Sequence, residues 1–199
     1  MIVKGVNNMD ITKEYYSNNY KEYIEKTFNK NMSLIYEKFL LGLKDGSTIL
    51  DIGFGSGRDS LYFKNCGYNV TSIDPVKEFC EHGKEIGLDN VINTDFEHFN
   101  SNTKFDAIWA CASLVHLNDK ELINAFKKID KMMDENAKTY ASFKYGEYSG
   151  IRDLRYYQDQ TEESIVNYLK NTNLGVKEKW FSEDLDTGTK WLNVILIKR

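Results

Sequence analysis

The chain of 199 residues has little proline, little cysteine and no long apolar run. Pro75 is its only proline, and no proline-, glycine- or serine-rich linker divides the chain, so one compact unit is expected. The three cysteines, Cys66, Cys80 and Cys111, stand at wide spacings that fit neither a disulfide framework nor a CxxC metal or redox pair. No signal-peptide pattern and no run of about 18 apolar residues occurs. The sequence therefore predicts a cytoplasmic protein without membrane contact.

An excess of positive charge is also missing. Lys and Arg total 26 against 30 Asp and Glu, which gives a net charge of −4. This is the wrong sign for a protein that binds a phosphate backbone over a broad surface, so no nucleic-acid partner is expected. Hydrophobic residues make up 41% of the chain, which is enough for a core of useful size in one domain.

What the sequence does contain is an alternation of short apolar runs and helical patterns. Strands are predicted at 48–50, 68–73, 91–94, 105–110, 137–143, 176–181 and 190–197, and helices at 58–65, 76–86, 119–133 and 161–169. Residues 10–43 carry apolar side chains at steps of three and four, which predicts one or two further helices. The pattern predicts an α/β fold: a mostly parallel seven-stranded sheet with a terminal antiparallel hairpin, helices on both faces and one or two helices before the first strand.

The strongest local signal is residues 51–58, which read D-I-G-F-G-S-G-R between the first strand and the first core helix. Alternating glycines in this setting expose backbone N–H groups to a nucleotide-like ligand. The dinucleotide fingerprint G-x-G-x-x-G would need glycine where Arg58 or Ser60 stands. Asp51 would repel a pyrophosphate but suits a ligand's ammonium group, and Arg58 suits a carboxylate. The loop therefore favours a ligand with an amino-acid head group.

Two further acids follow in chain order. Asp74 ends the second strand, where a carboxylate can accept the two ribose hydroxyls of a nucleoside; with Pro75 behind it, it is also a good helix N-cap. Asp95 and Phe96 follow the third strand. They suit an adenine amine and ring, although Asp95 can also be an ordinary turn acid.

With these residues the sequence resembles the class I S-adenosylmethionine-dependent methyltransferases, over residues 10–198. It looks most similar to small bacterial tellurite-resistance-like members, on the strength of residues 15–16, 55–60, 108–116 and 141–146. The resemblance implies a Rossmann-like class I methyltransferase fold with an N-terminal helical lid. It also implies S-adenosylmethionine as cofactor, S-adenosylhomocysteine as product and no metal. It implies a cofactor site made of Tyr16, Asp51, Gly53, Phe54, Gly55, Gly57, Arg58, Asp74, Pro75, Asp95, Phe96 and Ala110. Phe54 departs from the family, which commonly has a smaller residue or Cys there.

The catalytic residues predicted on the acceptor side are His116, Lys144 and Tyr145. His116 follows the fourth strand and is a candidate to orient or deprotonate an acceptor, or simply to hold a loop. Lys144 and Tyr145, with Arg155 beyond them, are candidates to recognise an anionic acceptor, or are solvated loop residues. Tyr16 belongs to an aromatic stripe that either covers the sheet or forms a lid over the sulfonium.

The favoured hypothesis is direct methyl transfer to a small-molecule acceptor by a monomer or homodimer. Residues 1–45 are predicted to be a helical cap and residues 46–199 the core of a single domain, 1–199. Residues 110–113 lack the N/D-P-P-Y/F segment typical of enzymes that methylate amides or base amines. Two alternatives stay open: a non-catalytic S-adenosylmethionine-binding module, and an NAD-dependent oxidoreductase.

Overall fold

A computed structural model describes residues 8–199 of the chain. The helices are α1 (Asn8–Thr27), α2 (Ser33–Leu40), α3 (Arg58–Asn65), α4 (Lys77–Glu85), α5 (Asp119–Met132) and α6 (Glu162–Tyr168). The strands are β1 (Thr48–Ile52), β2 (Asn69–Asp74), β3 (Val91–Asn93), β4 (Phe105–Ala110), β5 (Met133–Lys144), β6 (Ser149–Arg152), β7 (Arg155–Gln158), β8 (Leu174–Asp184) and β9 (Thr189–Lys198). Residues 1–7 of the predicted cap lie outside the described part.

Seven strands form one sheet in the order β3-β2-β1-β4-β5-β9-β8. All neighbours up to β5 pair in parallel, whereas β9 runs antiparallel to both β5 and β8. The predicted fold class is thereby confirmed. Because the chain leaves β1 toward β2 on one side and later returns to β4 on the other, the carboxyl end of β1 is the switch point where such sheets bind ligands.

Side chains along β4 alternate between two cores, one on each face of the sheet. Ile108 packs with the α5 side, whereas Trp109 packs with α2 and α3. Phe39 of α2 and Phe63 of α3 place their ring centroids 4.8 and 5.1 Å from that of Trp109. Helix α2 therefore packs on one face of the sheet. Of the two N-terminal helices, only α1 lies at the carboxyl ends of the parallel strands, where such sheets bind ligands.

The sequence explains where α5 begins and which face it buries. Asn118 accepts a hydrogen bond from the Glu121 N–H at 3.1 Å, and the Glu121 carboxylate accepts from the Asn118 N–H at 2.9 Å. Leu122, Phe126 and Ile129 follow on one stripe and are fully buried. Within residues 8–199, no helix combines the length and the apolar character needed to cross a membrane.

A separate two-stranded ribbon, β6 with β7, was not predicted from the sequence. It turns at Asp153 and Leu154, whose φ angles are 51° and 60°. Tight hairpin turns with such φ angles usually contain Gly, Asn or Asp at both positions. Here only Asp153 is of this kind, so the sequence pattern of the turn is weak. The ribbon matters because β7 carries Arg155 and Tyr157 to the ligand edge of the sheet.

The Asp59 carboxylate at the start of α3 connects α2, α3 and β4 in the core that contains Trp109, which we call the second core. Its Oδ1 accepts from the Tyr36 hydroxyl at 2.5 Å and from the Arg58 Nε at 2.6 Å. Its Oδ2 accepts from the Trp109 indole N–H and from an Arg58 Nη, both at 2.9 Å. A carboxylate that is only 7% exposed is stable there because four donors replace its water.

We expect Asp59→Asn to lower the free energy of unfolding by about 3 to 5 kcal/mol, because it leaves the Arg58 guanidinium without its carboxylate. Urea denaturation measures the change. Asp89→Asn is the matched control, since it removes only the exposed ion pair with Lys64 and should leave the midpoint nearly unchanged. Equal small losses in both variants would contradict the role given to Asp59.

Candidate functional site

A cleft opens at the carboxyl ends of β1, β2 and β4, and α1 covers it. Eight of the residues predicted from the sequence line this cleft: Tyr16, Gly53, Gly55, Asp74, Pro75, Asp95, Phe96 and His116. They come from five separate segments, and the switch point of the sheet brings them together. Within residues 8–199, no three or more His, Cys, Asp or Glu side chains are grouped so as to hold a metal ion.

The glycine loop needs glycine at two positions on the cleft wall. Gly53 has a φ of +70°, and a Cβ there would lie 2.6 Å from the Cβ of Ser113. Gly55 has a φ of +53°, and its Cβ would lie 3.0 Å from the Tyr23 ring. Left-handed backbone and close neighbours on both sides exclude larger residues without rearrangement. The loop therefore presents bare backbone to the cleft.

Asp74 is fixed directly beside this loop. Its Oδ2 accepts from the Gly55 N–H at 3.0 Å, and its Oδ1 accepts from the Val76 N–H at 2.8 Å. Burial raises its pKa to about 6, and the two backbone donors hold the rise in check. Each oxygen keeps one further lone pair, so the carboxylate can accept two hydroxyls from a ligand.

Asp95 and Phe96 line the cleft beyond Asp74, at the end of β3. The Asp95 carboxylate accepts from the backbone N–H of His98 at 2.8 Å and lies 2.7 Å from the His98 Nδ1. Phe96 is buried, with the Lys128 Nζ 5.2 Å from its ring centroid. Both side chains thus have fixed partners on the cleft wall, and their contact with an adenine ring stays a prediction.

Asp51 and Arg58 do not line the cleft. The Asp51 carboxylate is buried and accepts from the Ser60 hydroxyl at 2.6 Å, and burial together with the charge of Asp59 raises its pKa. The Arg58 guanidinium is held by Asp59 and also donates to the Thr27 carbonyl at 3.3 Å. Their predicted contacts with an amino-acid head group stay predictions, and Arg58 would have to share its donors with Asp59.

Three other predicted residues also lie behind the cleft wall. Phe54 turns into the core under α4 and packs against Gly83. Gly57, with a φ of +81°, is the N-cap of α3. Ala110 is fully buried in β4, and the next residue, Cys111, is the one that lines the cleft. Their assignment to the cofactor site stays a prediction.

Tyr16 and His116 form a buried pair in the cleft. The His116 Nδ1 lies 2.6 Å from the Tyr156 carbonyl oxygen, so this nitrogen carries the proton and Nε2 accepts from the Tyr16 hydroxyl at 3.1 Å. Burial lowers the His116 pKa to about 4, helped by the charges of Arg155 and Lys144. Burial also raises the Tyr16 pKa. At neutral pH both groups are uncharged, which makes His116 a weak base whose lone pair is already engaged.

Lys144 and Tyr145 diverge at the end of β5. The Lys144 Nζ lies 4.1 Å from the ring centroid of Tyr157, which is itself 4.9 Å from that of His116. Tyr145 instead packs edge-on against Phe181 of β8, at 4.8 Å between centroids. Lys144 is thus connected to the cleft through Tyr157, whereas Tyr145 is not among the residues brought together there.

Among the lining residues that were not predicted from the sequence, two bear on ligand binding. Tyr23 lies seven residues after Tyr16, on the same face of α1, so helical periodicity was a signal for it. Ser113 gave no signal, because its position depends on the turn after β4, where Ala112 has a φ of 51°. The Ser113 Oγ is buried without a hydrogen-bond partner, although it lines the cleft. A buried hydroxyl without a partner is the kind of group that a bound ligand satisfies.

Comparison with known proteins gives a consistent family. Residues 49–136 match the family model of a methyltransferase domain. (S)-coclaurine N-methyltransferase of Papaver somniferum is 28% identical over 137 residues, which are 64% of this chain and 37% of that enzyme. The chain thus spans about a third of the length of this relative.

Solved structures share the fold over nearly the whole chain. The 1,6-didemethyltoxoflavin-N1-methyltransferase of Burkholderia thailandensis, solved with 1,6-didemethyltoxoflavin and S-adenosylhomocysteine, has a TM-score of 0.81 at 16% identity and covers 100% of this chain and 93% of its own. A TehB-like methyltransferase of Corynebacterium glutamicum has a TM-score of 0.70 at 16% identity, covering 94% and 98%.

The sheet order defines a Rossmann-like protein. Its cleft lies at the switch point of the sheet and is lined by the glycine loop, as in folds of this class that bind nucleotides. Residues 49–136 match the methyltransferase domain family, and the fold of the whole chain is that of solved S-adenosylmethionine-dependent methyltransferases.

The depressed pKa of His116 predicts a specific pH dependence of stability. The unfolded chain holds this histidine at its ordinary pKa of 6.5 and the folded protein at about 4, so between these values the unfolded state binds more protons. Stability from this group is therefore lost as the pH falls through that window. From about pH 7 to about pH 5 the loss is about 2 kcal/mol.

His116→Gln removes this titration, so we expect urea denaturation to show a steeper loss of wild-type stability toward acid than of the variant. Asp74 acts with the opposite sign, because its raised pKa favours the folded state as the pH falls. It is present in both proteins, so its effect cancels in the difference. Parallel curves for the two proteins would show that His116 is not buried as described.

Proposed function

We propose that the protein transfers a methyl group from S-adenosylmethionine to a small-molecule acceptor and leaves S-adenosylhomocysteine. The observation that carries the proposal is the left-handed glycine backbone at Gly53 and Gly55, which lines the cleft beside the buried Asp74 carboxylate and donates to it from the Gly55 N–H. This arrangement suits a nucleoside whose ribose hydroxyls donate to Asp74, while the substituent on its ribose passes along the backbone of the glycine loop. The domain match and the small-molecule methyltransferases among the relatives support it.

The described residues fit this cofactor. Asp74 would accept the ribose hydroxyls, and Asp95 with Phe96 would border the adenine. The buried Ser113 hydroxyl offers a free donor on the same wall. Asp51 and the glycine loop would lie nearest to the methionine part, with Arg58 behind them.

When bound, S-adenosylmethionine supplies an activated methyl group: the acceptor's lone pair forms the new bond to carbon, and the electron pair of the breaking carbon–sulfur bond stays on sulfur. The chain's own residues align the partners and exclude water. The Tyr16 and Tyr23 rings stand edge to face at 5.2 Å in the cleft, and Tyr23 lies over Gly55. Such rings attract a sulfonium by cation–π interaction.

The neutral His116 favours an acceptor that attacks without help from a strong base. With a pKa of about 4, its imidazole removes a proton poorly from an amine or hydroxyl of ordinary acidity. Its hydrogen bond to Tyr16 instead fixes the hydroxyl at the border of the cleft. We therefore propose His116 as a positioning residue for Tyr16.

The wider biological setting is proposed on fewer observations. The three free cysteines fit the reducing cytoplasm. The TehB-like neighbours are consistent with a tellurite-resistance-like enzyme. Helix α1 would act as the cap of a single domain, whose core includes α2, in a monomer or homodimer. A non-catalytic binding module and an NAD-dependent oxidoreductase are the competing functions, and the latter is disfavoured by Arg58 and Ser60 in the glycine loop.

Calorimetry with the purified protein tests the cofactor. We expect S-adenosylmethionine and S-adenosylhomocysteine to bind and NAD not to bind. Asp74→Asn should weaken S-adenosylmethionine at least about tenfold, since the ribose loses a charged acceptor. Asp89→Asn, an exposed acid away from the cleft, should bind like the wild type. Binding of NAD in place of S-adenosylmethionine would overturn the proposal.

Transfer of labelled methyl from S-adenosylmethionine to a mixture of small metabolites tests catalysis. Labelled product is expected with the wild type and much less with Asp74→Asn at a subsaturating cofactor concentration. Cofactor binding without any labelled product would favour the binding module.

A further inference from the structure

Three cationic side chains surround one buried ring beside the cleft. We call Lys144, Arg152 and Arg155 the cationic cluster. The Lys144 Nζ lies 4.1 Å from the Tyr157 ring centroid, and the guanidinium carbons of Arg152 and Arg155 both lie 5.4 Å from it. All three groups are positive and share one ring, and like charges repel one another. Negative charge near the cluster, from the protein or from a bound ligand, would therefore stabilise it.

The fold supplies only part of that charge. Asp159 forms an ion pair with Arg152 at 3.0 Å, and Asp153 is the other acid whose charge acts on Lys144. Within residues 8–199, neither Lys144 nor Arg155 forms an ion pair. The Arg155 Nε is buried without a hydrogen-bond partner, which leaves a charged donor unsatisfied. Burial and the two arginines accordingly lower the pKa of Lys144.

The cationic cluster adjoins the cleft through shared aromatic rings. The Arg155 guanidinium lies over the Tyr15 ring at 4.3 Å and 5.7 Å from the Tyr16 ring centroid. Tyr157 contacts His116 at 4.9 Å between centroids, and both Tyr16 and His116 line the cleft. A small molecule held by the cluster would therefore stand next to the wall at which Tyr16 and His116 meet.

We propose that the cationic cluster binds an oxyanion group, such as a carboxylate, carried by the methyl acceptor. This rests on the proposed function and names the class of its substrate: a small organic anion. The anionic group is a handle and is not itself the attacking atom. Arg155 offers its buried Nε and Lys144 its half-buried ammonium, while the Tyr15 ring provides a flat wall.

Calorimetry on the complex with S-adenosylhomocysteine tests this. The probes are benzoate, salicylate and 3-phenylpropionate, each matched with its neutral amide. For the wild type we expect at least one acid to bind about tenfold more tightly than its amide, which is about 1.4 kcal/mol. Arg155→Gln and Lys144→Gln should reduce that preference to less than about threefold, and Arg155→Lys should retain part of it.

Lys190→Gln is the matched control. Its ammonium also lies over aromatic rings, 4.4 Å from Tyr145 and 4.0 Å from Phe181, but outside the cleft. It should keep the full preference for acids. Acid and amide binding equally in the wild type for all three pairs, or an acid preference that survives both glutamine variants, would overturn the proposal. Failure of S-adenosylhomocysteine itself to bind would instead refute the proposed function, so the two failures are distinguishable.

Discussion

The second core depends on one buried carboxylate. Asp59 accepts from Tyr36 of α2, from Trp109 of β4 and twice from Arg58 of its own helix. A charge in this position is tolerable only while all of these donors are present, so the elements that carry them must assemble together. Since α3 begins directly after the glycine loop, fixing its first turn also fixes the end of that loop at the switch point.

The hydrogen bonds to Asp59 also help to position α1, which is held over the cleft at both of its ends. Arg58, oriented by Asp59, donates to the Thr27 carbonyl at the last residue of α1. Near the other end, the Thr12 hydroxyl accepts from the Tyr156 N–H of β7 at 3.0 Å. Between these anchors the helix leaves helical geometry at Asn19, with a φ of −119°. The part of α1 that carries Tyr16 and Tyr23 is therefore tied to the core by its ends, with the irregular residue between the two rings.

Sequence patterns predicted the parts of the molecule in which neighbouring residues decide the structure. Apolar runs located the sheet, and the glycines and Asp74 were found because loop, strand end and helix start follow one another directly. Arg58 was expected to face a ligand, yet its carboxylate partner is the adjacent Asp59, and no pattern distinguishes the two uses. The β6–β7 ribbon was not predicted because its turn places Leu154 in a left-handed conformation, which leucine rarely adopts. The position of Ser113 in the cleft wall depends on tertiary contacts, so no local pattern predicts it.

Burial explains why the cleft is electrically unusual. It lowers the His116 pKa to about 4 and also lowers the pKa of Lys144, while it raises those of Tyr16 and Asp74. Burial pushes each group toward its neutral form. The paired His116 and Tyr16 are therefore both uncharged at neutral pH, whereas Asp74, with a pKa of about 6, stays mostly ionised there. The guanidinium of Arg155 stays charged because arginine does not lose its proton in proteins. Fixed cations beside uncharged hydrogen-bonding groups can orient a charged molecule but remove protons poorly, and direct displacement at a sulfonium methyl needs orientation more than proton removal.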